Sequence, residues 1–118
     1  MPLGIGIDII EISRISQAVK KYGQSFLQRV FTDQEIAYCR TAKAFRYPEL
    51  AVRFAAKEAY AKAVGTGING RLGWKDIEVT NNRQGQPFLV IKKKLRRHVL
   101  LSLSHSREYA VASVYVTK

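Results

Sequence analysis

Every second residue from Leu3 to Ile9 is aliphatic, with Gly4, Gly6 and Asp8 between, which is the period of an extended strand. Leu3, Ile5, Ile7 and Ile9 then share one face, and Gly4, Gly6, Asp8 and Ile10 the other. Two side-chain-free positions either leave open space beside the Asp8 carboxylate or belong to an edge strand that ends in a solvent-facing Asp8. At Glu11 the period lengthens. Ile12, Ile15 and Val19 recur at helical spacing, Arg14, Gln17, Lys20 and Lys21 take the outer side, and Gly23 stops the run. A second helix starting near Gln24 buries Phe26, Leu27 and Val30. Thr32-Asp33-Gln34-Glu35 has capping-box spacing ahead of Ile36, Ala37 and Tyr38.

Residues 41–47 form a basic connection, and Pro48 suits the first turn of a long helix containing RFAAKEAYAKAVGTG, residues 53–67. After Gly65-Thr66-Gly67 the pattern changes to strands. One runs from Trp74 to Thr80, turn residues occupy 81–87, and Phe88 to Ile91 returns. KKKLRRH, residues 92–98, leads into VLLSLSH, where Val99, Leu101, Leu103 and His105 share a face. EYAVASVYV closes the pattern. Helices gather in the first half and strands in the second, with one strand at the start. The expected fold is α+β, a mostly antiparallel sheet packed against a long central helix, in one domain over 1–118.

Composition narrows the classes. An apolar content of 47% with three prolines opposes disorder. No apolar run approaches the roughly 20 residues of a membrane span. The start has no basic lead and two acids in its apolar stretch, so neither a signal peptide nor a membrane association is expected, and the protein is expected to be cytoplasmic. The single cysteine, Cys39, cannot form an internal disulfide and reads as a small core residue. Twenty Lys and Arg against nine Asp and Glu give a net charge of +11, a field that speeds encounter with anionic partners without choosing among them.

The candidate chemistry sits on the central helix. Glu58 and Lys62 are at i and i+4 in the favourable order, which as a surface pair is worth about 0.3–0.5 kcal/mol. Phe54, Ala55 and Ala61 make the surroundings of Glu58 semi-apolar. Arg53 and Lys57, also i and i+4, repel one another, and an anion would relieve them. The stretch is therefore compatible with a metal and phosphates, and equally with an exposed helix. The GTG turn lies at the negative end of the helix dipole, so it reads as a stop that lets a ligand approach the backbone, not as a phosphate cradle. His105, between two serines at a strand end, is placed either to donate to a phosphate or to cap its turn. KKKLRRH and the first helix support a basic nucleic-acid-binding module as the alternative, and charge kept only for solubility is a third. A nucleic-acid binder has no use for Asp8 and Glu58 facing inward.

Taken together, GIGIDIIEISRI, FTDQE at 31–35, RFAAKEAYAKAVGTG and SLSHSREYA resemble the holo-[acyl-carrier-protein] synthase family, the small bacterial 4′-phosphopantetheinyl transferases, in the expected order over nearly the whole chain. The resemblance implies the fold of that family and the transfer of 4′-phosphopantetheine from coenzyme A to a serine of apo-acyl carrier protein. Adenosine 3′,5′-bisphosphate is released, in the service of fatty acid biosynthesis. It further implies Mg²⁺ held by Asp8 and Glu58, and Lys62 stabilising the leaving 5′-phosphate. The serine proton passes to a water oriented by Glu58 or to Glu58 itself. Arg53 and His105 are implied on the 3′-phosphate, and Gly65, Gly67 and Pro87 along the nucleotide or pantetheine channel. Arg14, with Lys20 or Lys21, would meet the acidic carrier protein. Homotrimers with sites between neighbouring subunits complete the implied picture.

Overall fold

The computed structural model describes residues 4–117, so the predicted strand position Leu3 lies outside the described residues. Strand β1 (Gly4–Glu11) runs into helix α1 (Ile12–Tyr22), which ends at Gly23 with φ +58. Helices α2 (Gln24–Val30) and α3 (Asp33–Cys39) follow, then the long helix α4 (Tyr47–Ala63) with Pro48 in its first turn. Strands β2 (Ile77–Asn81), β3 (Pro87–Ile91), β4 (Lys94–Leu95), β5 (Val99–His105) and β6 (Tyr109–Val116) complete the chain. The α+β expectation stands, with one correction: the strands divide into two antiparallel sheets, β1-β6-β5 and β2-β3-β4, and are not one.

The helix signals in the sequence match what forms. Thr32 accepts from the Glu35 backbone N–H while Glu35 accepts from that of Thr32, a complete capping box. Cys39 is fully buried, and burial pushes its thiol up to about 11. Three local expectations need correcting. The strand expected from Trp74 begins as a 3-10 turn over Trp74–Asp76. Asn81 and Pro87, expected in the turn, pair with each other as the ends of β2 and β3. The basic tract is a tight turn followed by the short strand β4: Lys92 and Lys93 both adopt positive φ, +50 and +69, where a two-residue hairpin favours Asn-Gly.

The largest correction concerns β1. The glycine face is not open: α4 lies directly on it. A Cβ at Gly6 would collide with the backbone carbonyl of Ala59, and one at Gly4 with that of Ala63. Glycine on the strand and alanine on the helix (Ala59, Ala63) let the two backbones approach at close range. The aliphatic face points outward, leaving Ile5, Ile7 and Ile9 each more than 60% exposed (71%, 62% and 64%). Leu100 and Tyr115 extend that exposed surface across the sheet through the β6 and β5 register.

Helix α4 is buried on nearly all sides, which a single apolar stripe cannot reveal. Lys57 is buried and bonds Glu35 at 2.8 Å, with further bonds to the carbonyls of Trp74 and Ile77. Glu35 also accepts from the Val79 backbone N–H at 2.9 Å. The anion that relieves Lys57 is thus internal, and this pair ties α3, α4 and β2 together.

Candidate active site

Asp8 reaches the α4 side of β1 because it shares that face with Gly4 and Gly6. The close approach the glycines permit carries Asp8 to the C-terminal half of α4, where Glu58 and Lys62 project. Lys62 Nζ donates to Asp8 Oδ1 at 3.1 Å and to the Ile7 carbonyl at 3.0 Å. The expected surface pair within the helix is therefore replaced by a bond between elements. Glu58 lies between buried Ala55 and Ala61, beside Phe54, whose ring stacks on Trp74 at 4.8 Å. Burial raises the Glu58 pKa, the Asp8 charge raises it further, and the Lys62 ammonium offsets part of the rise. Two carboxylates fifty residues apart in sequence are thus close enough to repel each other.

The donor set suits a hard cation. Among the described residues no group of three or more His, Cys, Asp or Glu gathers, so the pair of carboxylates stands without further such ligands. Mg²⁺ is commonly bound by one or two carboxylates, with water and substrate phosphates filling the rest of its shell. The Lys62 ammonium bonded to Asp8 shows that these oxygens already attract a cation.

Gly65 and Gly67 follow Lys62 with φ +81 and +69, and the space beside each is open. The turn is tied to the end of α4 by bonds from Gly65 N–H to the Lys62 carbonyl and from Gly67 N–H to the Ala61 carbonyl.

His105 and Pro87 lie elsewhere. They line a cavity of about 380 Å³ with Tyr38, Glu49, Asn81 and the strand Leu101–Ser104. Asp8 pairs through Ala112 to Leu103, so β1 and β5 are opposite edges of one sheet, two strand spacings or roughly 10 Å apart. Glu49 and Glu58 are separated by roughly 13 Å along α4. Asp8, Glu58 and Lys62 are not among the residues lining the His105 cavity.

Arg53 departs furthest from expectation. It is 1% exposed, and its guanidinium donates to Glu49 Oε1 and to Asn81 Oδ1, each at 2.9 Å, while stacking 4.4 Å over Tyr38. All three partners line the His105 cavity, so Arg53 braces its wall and presents no free cation at the surface. The Arg53 and Lys57 charges that suggested phosphate binding by α4 are both internal; Lys62 is the solvent-facing one of the three.

On α1, Arg14, Lys20 and Lys21 are exposed. Lys20 turns toward α4, 5.9 Å over the Tyr47 ring, and Lys21 lies 5.3 Å over Tyr22. Sequence reasoning missed the groove beside them, about 370 Å³, lined by Ala18, Tyr22, Ser25, Phe26 and Arg29. The signal was available: Ala18 and Tyr22 at i and i+4, continuing the line of Arg14 into α2.

The family model of the 4′-phosphopantetheinyl transferase superfamily matches residues 4–114. The holo-[acyl-carrier-protein] synthase of Chloroherpeton thalassium is 49% identical over 116 residues, covering 95% of each chain. That of Chlamydia trachomatis serovar L2 is 51% identical over 114 residues, covering 92% of this chain and 94% of the relative. Among solved structures, the holo-(acyl-carrier-protein) synthase of Bacillus anthracis in complex with CoA (3′,5′-ADP) superposes with a TM-score of 0.82 at 44% identity, covering 98% and 96% of the two chains. The Helicobacter pylori holo-[acyl-carrier-protein] synthase in complex with coenzyme A gives 0.84 at 32% identity, covering 96% and 99%.

Proposed function

The chain belongs to the 4′-phosphopantetheinyl transferase superfamily, and from that premise we propose that it is a holo-[acyl-carrier-protein] synthase. It moves 4′-phosphopantetheine from coenzyme A to a serine of an apo-acyl carrier protein, a step that supplies carriers for fatty acid biosynthesis. The observation that carries this reading is the convergence of Asp8, Glu58 and Lys62, with an open glycine turn following Lys62.

In the reaction the serine oxygen forms a bond to the phosphorus that bears pantetheine, and the bond to the bridging oxygen breaks. Adenosine 3′,5′-bisphosphate leaves. Asp8 and Glu58 would hold Mg²⁺, which when bound neutralises charge on the diphosphate. Lys62, half exposed at 52%, swings from Asp8 to the leaving phosphate at little cost. Glu58 would receive the serine proton, directly or through one water that it orients. Gly65 and Gly67 offer backbone without side-chain obstruction.

The nucleotide end falls to His105, Pro87 and the cavity whose wall Arg53 braces. His105 lies on the β5 edge and Asp8 on the β1 edge, so two copies packed head to tail would bring the acids of one beside the His105 cavity of the next. Such contacts close into rings where the rotation between copies closes. The exposed Ile5, Ile7 and Ile9 face supplies the apolar surface for it, and a homotrimer with sites between subunits fits. Arg14, Lys21 and Arg29 around the apolar groove of α1 and α2 suit an acidic carrier-protein helix, with Lys21 better placed than Lys20.

Chromatographic release of adenosine 3′,5′-bisphosphate from coenzyme A tests this reading. Release is expected only with apo-carrier protein and a divalent ion together. Release that ignores the carrier would contradict it.

A further inference from the structure

Lys62 has a second consequence, which rests on the reading of Asp8 and Glu58 as the metal-holding pair. Its ammonium makes two bonds to β1, to Asp8 Oδ1 and to the Ile7 carbonyl, although it leaves α4 one turn beyond Glu58. The Asp8 carboxylate is 18% exposed and the ammonium 52%. Asp8 and Glu58 repel each other, and Lys62 is the cation that relieves Glu58. Together the three groups carry one net negative charge. A divalent ion added to them would turn the cluster net positive, with Lys62 and the ion contending for the same Asp8 oxygen. The coenzyme A diphosphate, a dianion, returns the sum to negative and offers the ammonium a new partner.

We infer that Lys62 is a built-in counter-cation that keeps the carboxylate pair from taking up a divalent ion until a diphosphate draws it off Asp8. Metal and diphosphate binding are then coupled. Each ligand raises the affinity for the other by the same factor, as linkage requires. The coupling prevents the pair from being loaded with metal before the substrate is present. A half-exposed lysine is suited to this, since its surface bond to Asp8 is weak enough to exchange.

The test measures Mn²⁺ binding by the loss of free-ion paramagnetic resonance signal, for the whole protein with and without coenzyme A. Wild type is expected to bind Mn²⁺ weakly alone and much more tightly with coenzyme A. Lys62→Met is expected to bind Mn²⁺ alone about ten-fold more tightly than wild type, the scale of one nearby charge acting on a divalent ion. Its gain from coenzyme A is expected to shrink. Lys62→Arg, which keeps the charge, and Lys20→Met, on another surface, are expected to match wild type in the absence of coenzyme A. If Lys62→Met binds Mn²⁺ alone no better than wild type while wild type still binds it with coenzyme A, the counter-cation role is overturned and the metal site stands. If wild type fails to bind Mn²⁺ even with coenzyme A, the metal-site reading falls and this role with it.

Discussion

Lys57 Nζ lies 2.8 Å from Glu35 Oε1, and neither side chain is exposed. Burial lowers the Lys57 pKa, and the Glu35 charge pulls it back. Removing one partner strands the other charge inside the protein. Lys57→Met is expected to cost about 3–5 kcal/mol in urea unfolding. The double variant Lys57→Met, Glu35→Gln is expected to recover part of that loss. Additive losses would show that the two groups do not act as a pair.

Gly6 is expected to tolerate nothing larger. A methyl group there meets the Ala59 backbone carbonyl, which its helix holds in place. Gly6→Ala should therefore cost about 2–4 kcal/mol and push Asp8 away from Glu58. Gly65→Ala, in open space at φ +81, is expected to cost only about 1 kcal/mol from backbone strain. Thermal melts of the two variants compare these directly, and equal losses would contradict the packing of α4 on β1.

What the sequence disclosed depended on how local each signal was. Thr32 and Glu35 stand three apart and satisfy each other, so the box could be read without the fold. Gly23 and Pro48 mark helix ends by their own backbone preferences. The orientation of β1 is different: alternation separates two faces but does not say which is inside. Gly4 and Gly6 looked like open space because their need is set by α4, some fifty residues away. Arg53 and Lys57 looked like surface cations because Asn81 and Glu35, their long-range partners, are remote in sequence. Lys92 and Lys93 carry no turn chemistry that would announce positive φ at both positions.

Glu58 gives a pH-dependent prediction. Its folded pKa is raised above the ordinary value of 4.5, so the native state binds that proton more tightly than the unfolded chain. The resulting stability is present at low pH and is lost as pH rises from 4.5 through the raised value. Glu58→Gln removes that loss. Its melting temperature is expected to exceed that of wild type at neutral pH, with the gain fading below the ordinary glutamate value. Identical melts across this range would contradict the burial and Asp8 repulsion assigned to Glu58.

A site shared between copies predicts complementation. Glu58→Gln and His105→Ala are each expected to have little activity alone. Co-expressed in equal amounts and randomly assembled, they should regain about one quarter of wild-type turnover, since one site in four draws Glu58 from one copy and His105 from its neighbour. No regain in mixtures shown to contain both chains would place the whole site within one chain.

The most direct measurement weighs the carrier itself. Apo-acyl carrier protein is incubated with coenzyme A, Mg²⁺ and either wild type or Glu58→Gln, and its intact mass is recorded by mass spectrometry. Wild type is expected to add one phosphopantetheinyl group at a single serine, and Glu58→Gln to add none while remaining folded. An unmodified carrier with wild type, or a fully modified one with Glu58→Gln, would contradict the account.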